Sequence, residues 1–97
     1  SLTQHYPKVD DDRYTYTMNI PGMSKEDVNV SITNRVVSVK AEKTDDTEGT
    51  YNKYTKSYHL PEDVDEDQIQ ATVVDGIFKM VVKRKVPETI SRTINVE

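Results

Sequence analysis

The chain has 97 residues and a mass of 11.1 kDa, enough for one domain and too little for the second core of a multidomain enzyme. It lacks cysteine, which excludes a disulfide framework and a cysteine-built zinc site. Its 13 basic and 17 acidic residues give a net charge of −4, which argues against a phosphate backbone as partner, so no nucleic acid is expected.

A chain this short buries only about 60 to 65% of its unfolded surface, and 34% hydrophobic residues leave little apolar material for a large catalytic cleft. No apolar run approaches the roughly 20 residues of a membrane helix, and the first ten residues show no basic-then-apolar signal pattern. A soluble, cytoplasmic protein is the expectation, with residues 1–8 read as an N-terminal remnant. Val, Ile and Thr number thirteen, six and eleven, against two each of Ala and Leu, a bias toward strands and an all-β domain.

Period two starts at Tyr14: Tyr14, Tyr16, Met18 and Ile20 share one side and Thr15, Thr17 and Asn19 the other. Pro21 and Gly22 end this strand. Ser24 to Asp27 is polar and reads as a single helical turn. Val28, Val30 and Ile32 resume the alternation, Asn34-Arg35 reads as a tight connection, and Val37, Val39 and Ala41 carry the returning strand. Glu42 to Thr50 holds four acidic residues and no large apolar one. It is expected to be a solvated loop separating two sheets or two hairpins.

Tyr51 to Leu60 is a polar, aromatic strand with the character of a sheet edge. The acidic run from Glu62 to Asp67 is too charged for a strand, and Asp65 with Gln68 is expected to cap a short helical turn. Ile69, Ala71 and Val73 restart the alternation. Asp75-Gly76 is a strong hairpin signal, because a type I′ turn needs positive φ at both central positions. Phe78, Met80 and Val82 return. Six strands with regular punctuation predict an antiparallel sandwich over residues 9–86, followed by a C-terminal extension, 87–97, in which Glu88 to Arg92 is irregular.

Little in this inventory carries chemistry. Two distant histidines and no cysteine offer no nucleophile with a base, so no enzyme activity and no cofactor are expected. Asp63, Asp65 and Asp67 copy the start of a calcium loop, but Gln68 stands where the bend wants glycine and Val74 where a bidentate Glu is required, so no metal is expected. Asn29-Val30-Ser31 matches a glycosylation acceptor but falls in a strand, and Lys83-Arg84-Lys85 reads as a strand end meeting solvent. Ile94 and Val96 are different. Two β-branched apolar residues at i and i+2 beyond Pro87 have no local reason to be there. They form either a last strand of the domain itself or a pair of knobs for a groove on another subunit.

The residues resemble the α-crystallin domain of the small heat-shock proteins. Four landmarks match in order: Ile20-Pro21-Gly22, Leu60-Pro61, Ala71 with Asp75-Gly76-Ile77-Phe78, and Ile94-Asn95-Val96. The match spans Tyr6 to Val96, and the stretch from Val86-Pro87-Glu88 to Val96 is similar to the bacterial inclusion-body-associated branch. The resemblance implies an immunoglobulin-like antiparallel β-sandwich that dimerises and acts as an ATP-independent holdase, keeping unfolding client proteins from aggregating. It also implies a groove between Val28–Thr33 and Ile69–Val74 for the tail or a client, with Val30, Ile32, Ile69, Ala71 and Val73 as candidate lining, though alternation does not separate groove-facing from core-facing positions. Phe78 replaces the signature leucine. Glu42 to Thr50 is short for a loop that carries an exchanged strand, which leaves three forms open: a strand-exchanged dimer, edge pairing of Tyr51, Tyr54 and Tyr58 with a second copy, or a monomer. A co-chaperone or adaptor of the CS-domain type, binding a partner chaperone, is the alternative from another class.

Overall fold

The computed structural model describes residues 6–85 and 92–97. The N-terminal remnant up to residue 5, the last residue of the expected domain, Val86, and the irregular stretch up to residue 91 lie outside the described residues. Among the described residues seven strands form, namely β1 (Lys8–Val9), β2 (Arg13–Asn19), β3 (Val28–Thr33), β4 (Val36–Asp45), β5 (Thr50–His59), β6 (Val64–Val74) and β7 (Ile77–Arg84). They build two antiparallel sheets, β1-β2-β7-β6 and β3-β4-β5. No helix among the described residues is long and apolar enough to cross a membrane.

The period-two pattern explains the core. Tyr14, Tyr16, Met18 and Ile20 are buried, as are Val37, Val39 and Ala41 on β4 and Phe78, Met80 and Val82 on β7, so one side of each of these strands faces the opposite sheet. β4 and β7 are paired on both flanks and, with Ile20, Leu60 and Val64, supply the fully buried side chains of the core. The Asp75-Gly76 turn takes the expected left-handed backbone (φ 50° and 72°), and the tight connection at Asn34 and Arg35 is left-handed too (φ 49° and 66°). The polar turn after Pro21 is a 3₁₀ helix, Lys25–Asp27, closed by the Ser24 backbone N–H donating to the Asp27 carboxylate at 2.9 Å.

Three expectations need correction. Glu42 to Asp45 is not loop: it extends β4, Thr50 opens β5, and only residues 46–49 turn, joining two strands of one sheet instead of separating two sheets. No apolar residue is needed there, because this end of the hairpin is mostly exposed and is held by polar contacts. Glu42 pairs with Lys40 and Lys53 and accepts from the Tyr51 hydroxyl, while Asp45 Oδ1 accepts from the backbone of Thr47 and Glu48. Second, Asp65 to Asp67 lie in β6 and not in a helical turn; the ladder is irregular between Val64 and Ile69, and Asp65 Oδ1 accepts from the Asp67 backbone at that irregularity. Third, β1 is a seventh strand, two residues long and too short to show periodicity.

Candidate functional site: an apolar slot between two sheet edges

β3 and β6 are each paired on one flank only, and their unpaired flanks lie beside each other. On β3, Val28, Val30 and Ile32 stand opposite Ala41, Val39 and Val37 of β4. Cross-strand partners share a face, and the three β4 partners are buried, so the β3 residues also point into the sandwich. Even so, Val30 is 40% and Ile32 42% exposed. On β6, Ile69, Ala71 and Val73 stand opposite Val82, Met80 and Phe78 of β7 and face inward too, while Ala71 is exposed. Among the described residues the core is therefore open along this side, with inward-facing apolar groups that none of the seven strands covers.

The opening is a cavity of about 410 Å³. Val28 and Val30 form one wall, Ala71 and Val73 the other, and buried Phe78 closes the bottom. Ala71 matters by being small, since a larger side chain at this inward position would occupy the space. Among the described residues, Lys25 is the one charged residue along the lining. The structure thus brings Val30, Ala71 and Val73 together and leaves Ile32 and Ile69 outside the cavity. Ile69 is half-buried against the core and borders a separate polar depression with Arg13, Asp67 and Lys83. Ile94 and Val96, 85% and 97% exposed, fill neither opening of their own chain and form no final strand.

β5 is the other edge of its sheet. Its three tyrosines do not act alike. Tyr51 is exposed and donates to Glu42 Oε1 at 2.7 Å, a bond that lowers the Glu42 pKa, with Lys40 and Lys53 adding to the effect. Tyr54 is half-buried against the core. Tyr58 is interior, its ring centroid 4.7 Å from that of Tyr16, and burial pushes its hydroxyl pKa up, so its side chain belongs to the core and only its backbone to the edge.

One constellation escaped the sequence reading. The Tyr14 hydroxyl donates to Asp63 Oδ1 at 2.7 Å, Arg84 Nε donates to Asp63 Oδ2 at 2.8 Å, and the Arg84 guanidinium lies 5.2 Å from the Tyr14 ring centre. Arg84 also donates to the Asp10 carbonyl at 2.9 Å. This cluster ties together one end of the β1-β2-β7-β6 sheet and holds the Asp63 carboxyl below the usual carboxylate range, first through the Tyr14 hydroxyl and then through Arg84. Its members are 49 and 21 residues apart, and no local pattern links them.

A model of the Hsp20/alpha crystallin family matches residues 6–97. The chain belongs to this family. Among curated relatives, the 26.5 kDa mitochondrial heat shock protein of Arabidopsis thaliana is 27% identical over 93% of this chain and 44% of its own length. The 18 kDa heat shock protein of Clostridium acetobutylicum is 24% identical over 81% of this chain and 60% of its own. The chain thus spans about half the length of these relatives. In structure it is similar to a small heat-shock protein from Xylella fastidiosa, with a TM-score of 0.75, 19% identity and coverage of 97% and 94% of the two chains. The rat alpha crystallin domain gives 0.65 at 18% identity over 96% and 99%.

Within the α-crystallin sandwich, two of the sequence landmarks prove to be one contact. The Ile20 backbone N–H donates to the Gly76 carbonyl at 2.7 Å. A Cβ at position 76 would lie 3.2 Å from Pro21 Cα, and φ there is +72°, so both conformation and space ask for glycine. Ile20-Pro21-Gly22 and Asp75-Gly76 therefore meet where β2 exits and β6 turns into β7, next to the Lys25 end of the slot.

Proposed function

We propose that this chain is the core of an ATP-independent chaperone, a cytoplasmic holdase of the inclusion-body-associated branch, that binds unfolding proteins and keeps them from aggregating. The observation that carries the reading is the open slot between β3 and β6 in a chain whose own tail presents Ile94 and Val96 to solvent. An extended segment with apolar groups at i and i+2 can add along a sheet edge and drop both groups into such a slot, with backbone hydrogen bonds holding it and the pockets selecting it. The sandwich, 9–86, then provides the receptor and the extension, 87–97, the ligand of a neighbouring copy. Val30, Ala71 and Val73 line the seat, with Ile32 and Ile69 at its approaches. β5 supplies a second contact, pairing with its own copy through the backbone with Tyr51 and Tyr54 beside the seam. Family membership and the fold support the chaperone class. No step in this function consumes a cofactor or breaks a bond.

The test is suppression of aggregation. A heat-labile enzyme is warmed with and without this chain, and light scattering is followed in the absence of ATP. Delayed scattering at near-equimolar chain supports the holdase; unchanged scattering at every ratio, with a partner chaperone captured instead, favours the CS-type co-chaperone.

A further inference from the structure

The slot ends before the gap between its two edge strands does. Its lining takes in Val28 and Val30 of β3 and Ala71 to Val74 of β6, and stops short of Ile32 and Ile69, the next inward-facing residues. Beyond those two, Arg35 reaches across. It sits in the turn after β3, and its backbone carbonyl accepts from the Leu60 N–H at 2.9 Å. Its guanidinium donates to the Pro61 carbonyl and lies 3.7 Å from the Glu66 carboxylate on β6. Among the described residues this is the one ion pair that joins the two sheets. Arg35 makes it at a cost, since φ there is 66°, a left-handed backbone that arginine does not favour, and its Nε is buried.

A segment that adds inside this gap lies between the two edges, and its backbone cannot pass a point where a side chain spans from one edge to the other. On the tail-docking reading above, we infer that Arg35 is the stop of the slot. It limits the seat to two apolar groups at i and i+2, the pair that Ile94 and Val96 offer, and withholds a third seat between Ile32 and Ile69, because a chain that fills it runs on into the clasp. The withheld seat is apolar and uncovered, for Ile32 faces inward and is still 42% exposed. Glycine would adopt this turn with less strain but would leave the gap open, whereas the planar fork of arginine reaches a carbonyl and a carboxylate at once. Arg35 therefore governs the length of segment that the slot accepts, and the apolar pair supplies the affinity.

The experiment uses the full chain carrying Ile94→Ser and Val96→Ser, so that its own tail does not compete, with Arg35 kept or replaced. Three labelled peptides, acetylated and amidated, are titrated by fluorescence anisotropy. All hold Ile at i and Val at i+2, with two polar residues at each end; one has serine at i−2 and i+4, and the other two replace one or the other serine with isoleucine. With Arg35 in place the three are expected to bind within about threefold of each other. In Arg35→Gly, checked for folding by circular dichroism, at least one isoleucine peptide should gain about tenfold over the serine peptide, since one more side chain is buried. Arg35→Lys should gain in the same way, because a single ammonium cannot hold Pro61 and Glu66 together while the backbone strain remains. A gain confined to the glycine variant assigns the effect to a relaxed turn and overturns the inference. A gain already present with Arg35 also overturns it, as does a gain in no chain, and both leave docking intact. Binding of no peptide to any chain overturns docking and the inference together.

Discussion

Replacing Ile94 and Val96 together with serine separates assembly from folding. Both side chains are almost fully exposed, so neither contributes to the core and the domain should lose no stability; the melting temperature should move by less than about 2 °C. In a neighbour's slot the balance differs. Burying the two side chains is worth about 3 to 6 kcal/mol before the costs of association, and serine removes most of it. At 1.4 kcal/mol per factor of ten, the tail contact should weaken by about 10² to 10⁴. Light scattering with size separation across a hundredfold concentration range reads this directly. The unmodified chain should gain mass with concentration, and the double variant should stop at a smaller unit, a monomer or a β5-paired dimer. Identical masses for both chains at every concentration would refute the reasoning, as would a fall of several degrees in the variant's melting temperature, which would place the tail in its own chain's core.

Filling the slot from inside should mimic tail loss: Ala71→Leu is expected to keep the fold, because the position is exposed, while abolishing the tail-dependent gain in mass with concentration. Phe78→Ala should cost about 3 to 5 kcal/mol in urea unfolding, since the ring is buried beneath the slot and leaves a cavity. Gly76→Ala should destabilise by about 1 to 3 kcal/mol, from positive φ combined with the Pro21 contact. The depressed Asp63 pKa means that its stabilising effect is present above the ordinary carboxylate pKa and is lost as pH falls through the lower folded value. Asp63→Asn should therefore flatten the acid side of a stability-against-pH curve measured by denaturant titration, and an unchanged acid limb would count against the Tyr14–Asp63–Arg84 cluster.

Strand identity was legible wherever one face was buried. Tyr14 to Ile20, Val28 to Ile32 and Phe78 to Val82 alternate because alternate residues meet the opposite sheet, and Asp75-Gly76 turns as its backbone preferences favour, whereas Arg35 takes its left-handed backbone (φ 66°) against the preference of its residue type. The parts that were not legible share a cause. Glu42 to Asp45 is strand held by ladder bonds and polar pairs, and Asp65 to Asp67 lie at an irregularity of the β6–β7 ladder with polar contacts of their own, so hydrophobic period had nothing to report at either place. The slot was half legible. Alternation put Val30, Ala71 and Val73 on inward faces, but which inward faces go uncovered depends on how two sheets end relative to each other, and that is a property of topology. It also separates Ala71, at the opening, from Ile69, packed against the core beside it. Tyr58 illustrates the same limit from the other direction: a polar strand at a sheet edge still sends one side chain inward, here against Tyr16.

The β2–β7 ladder has a consequence for how the chain reaches its native state. Arg13 pairs with Lys83 and Asn19 with Ile77, partners about 60 to 70 residues apart, and the entire β3-β4-β5 sheet is inserted between them. The β3–β4, β4–β5 and β6–β7 hairpins can each close over a short turn, but β2 waits for nearly the last strand of the domain. Non-local pairing of this kind slows folding, because loop closure must be paid in entropy before any contact returns it. During that interval Tyr14, Tyr16, Met18 and Ile20 are without the sheet that buries them. On a ribosome, β7 must emerge before β2 has a partner beyond the two-residue β1, so a nascent chain of this sequence passes through an interval in which it is itself an aggregation-prone polypeptide.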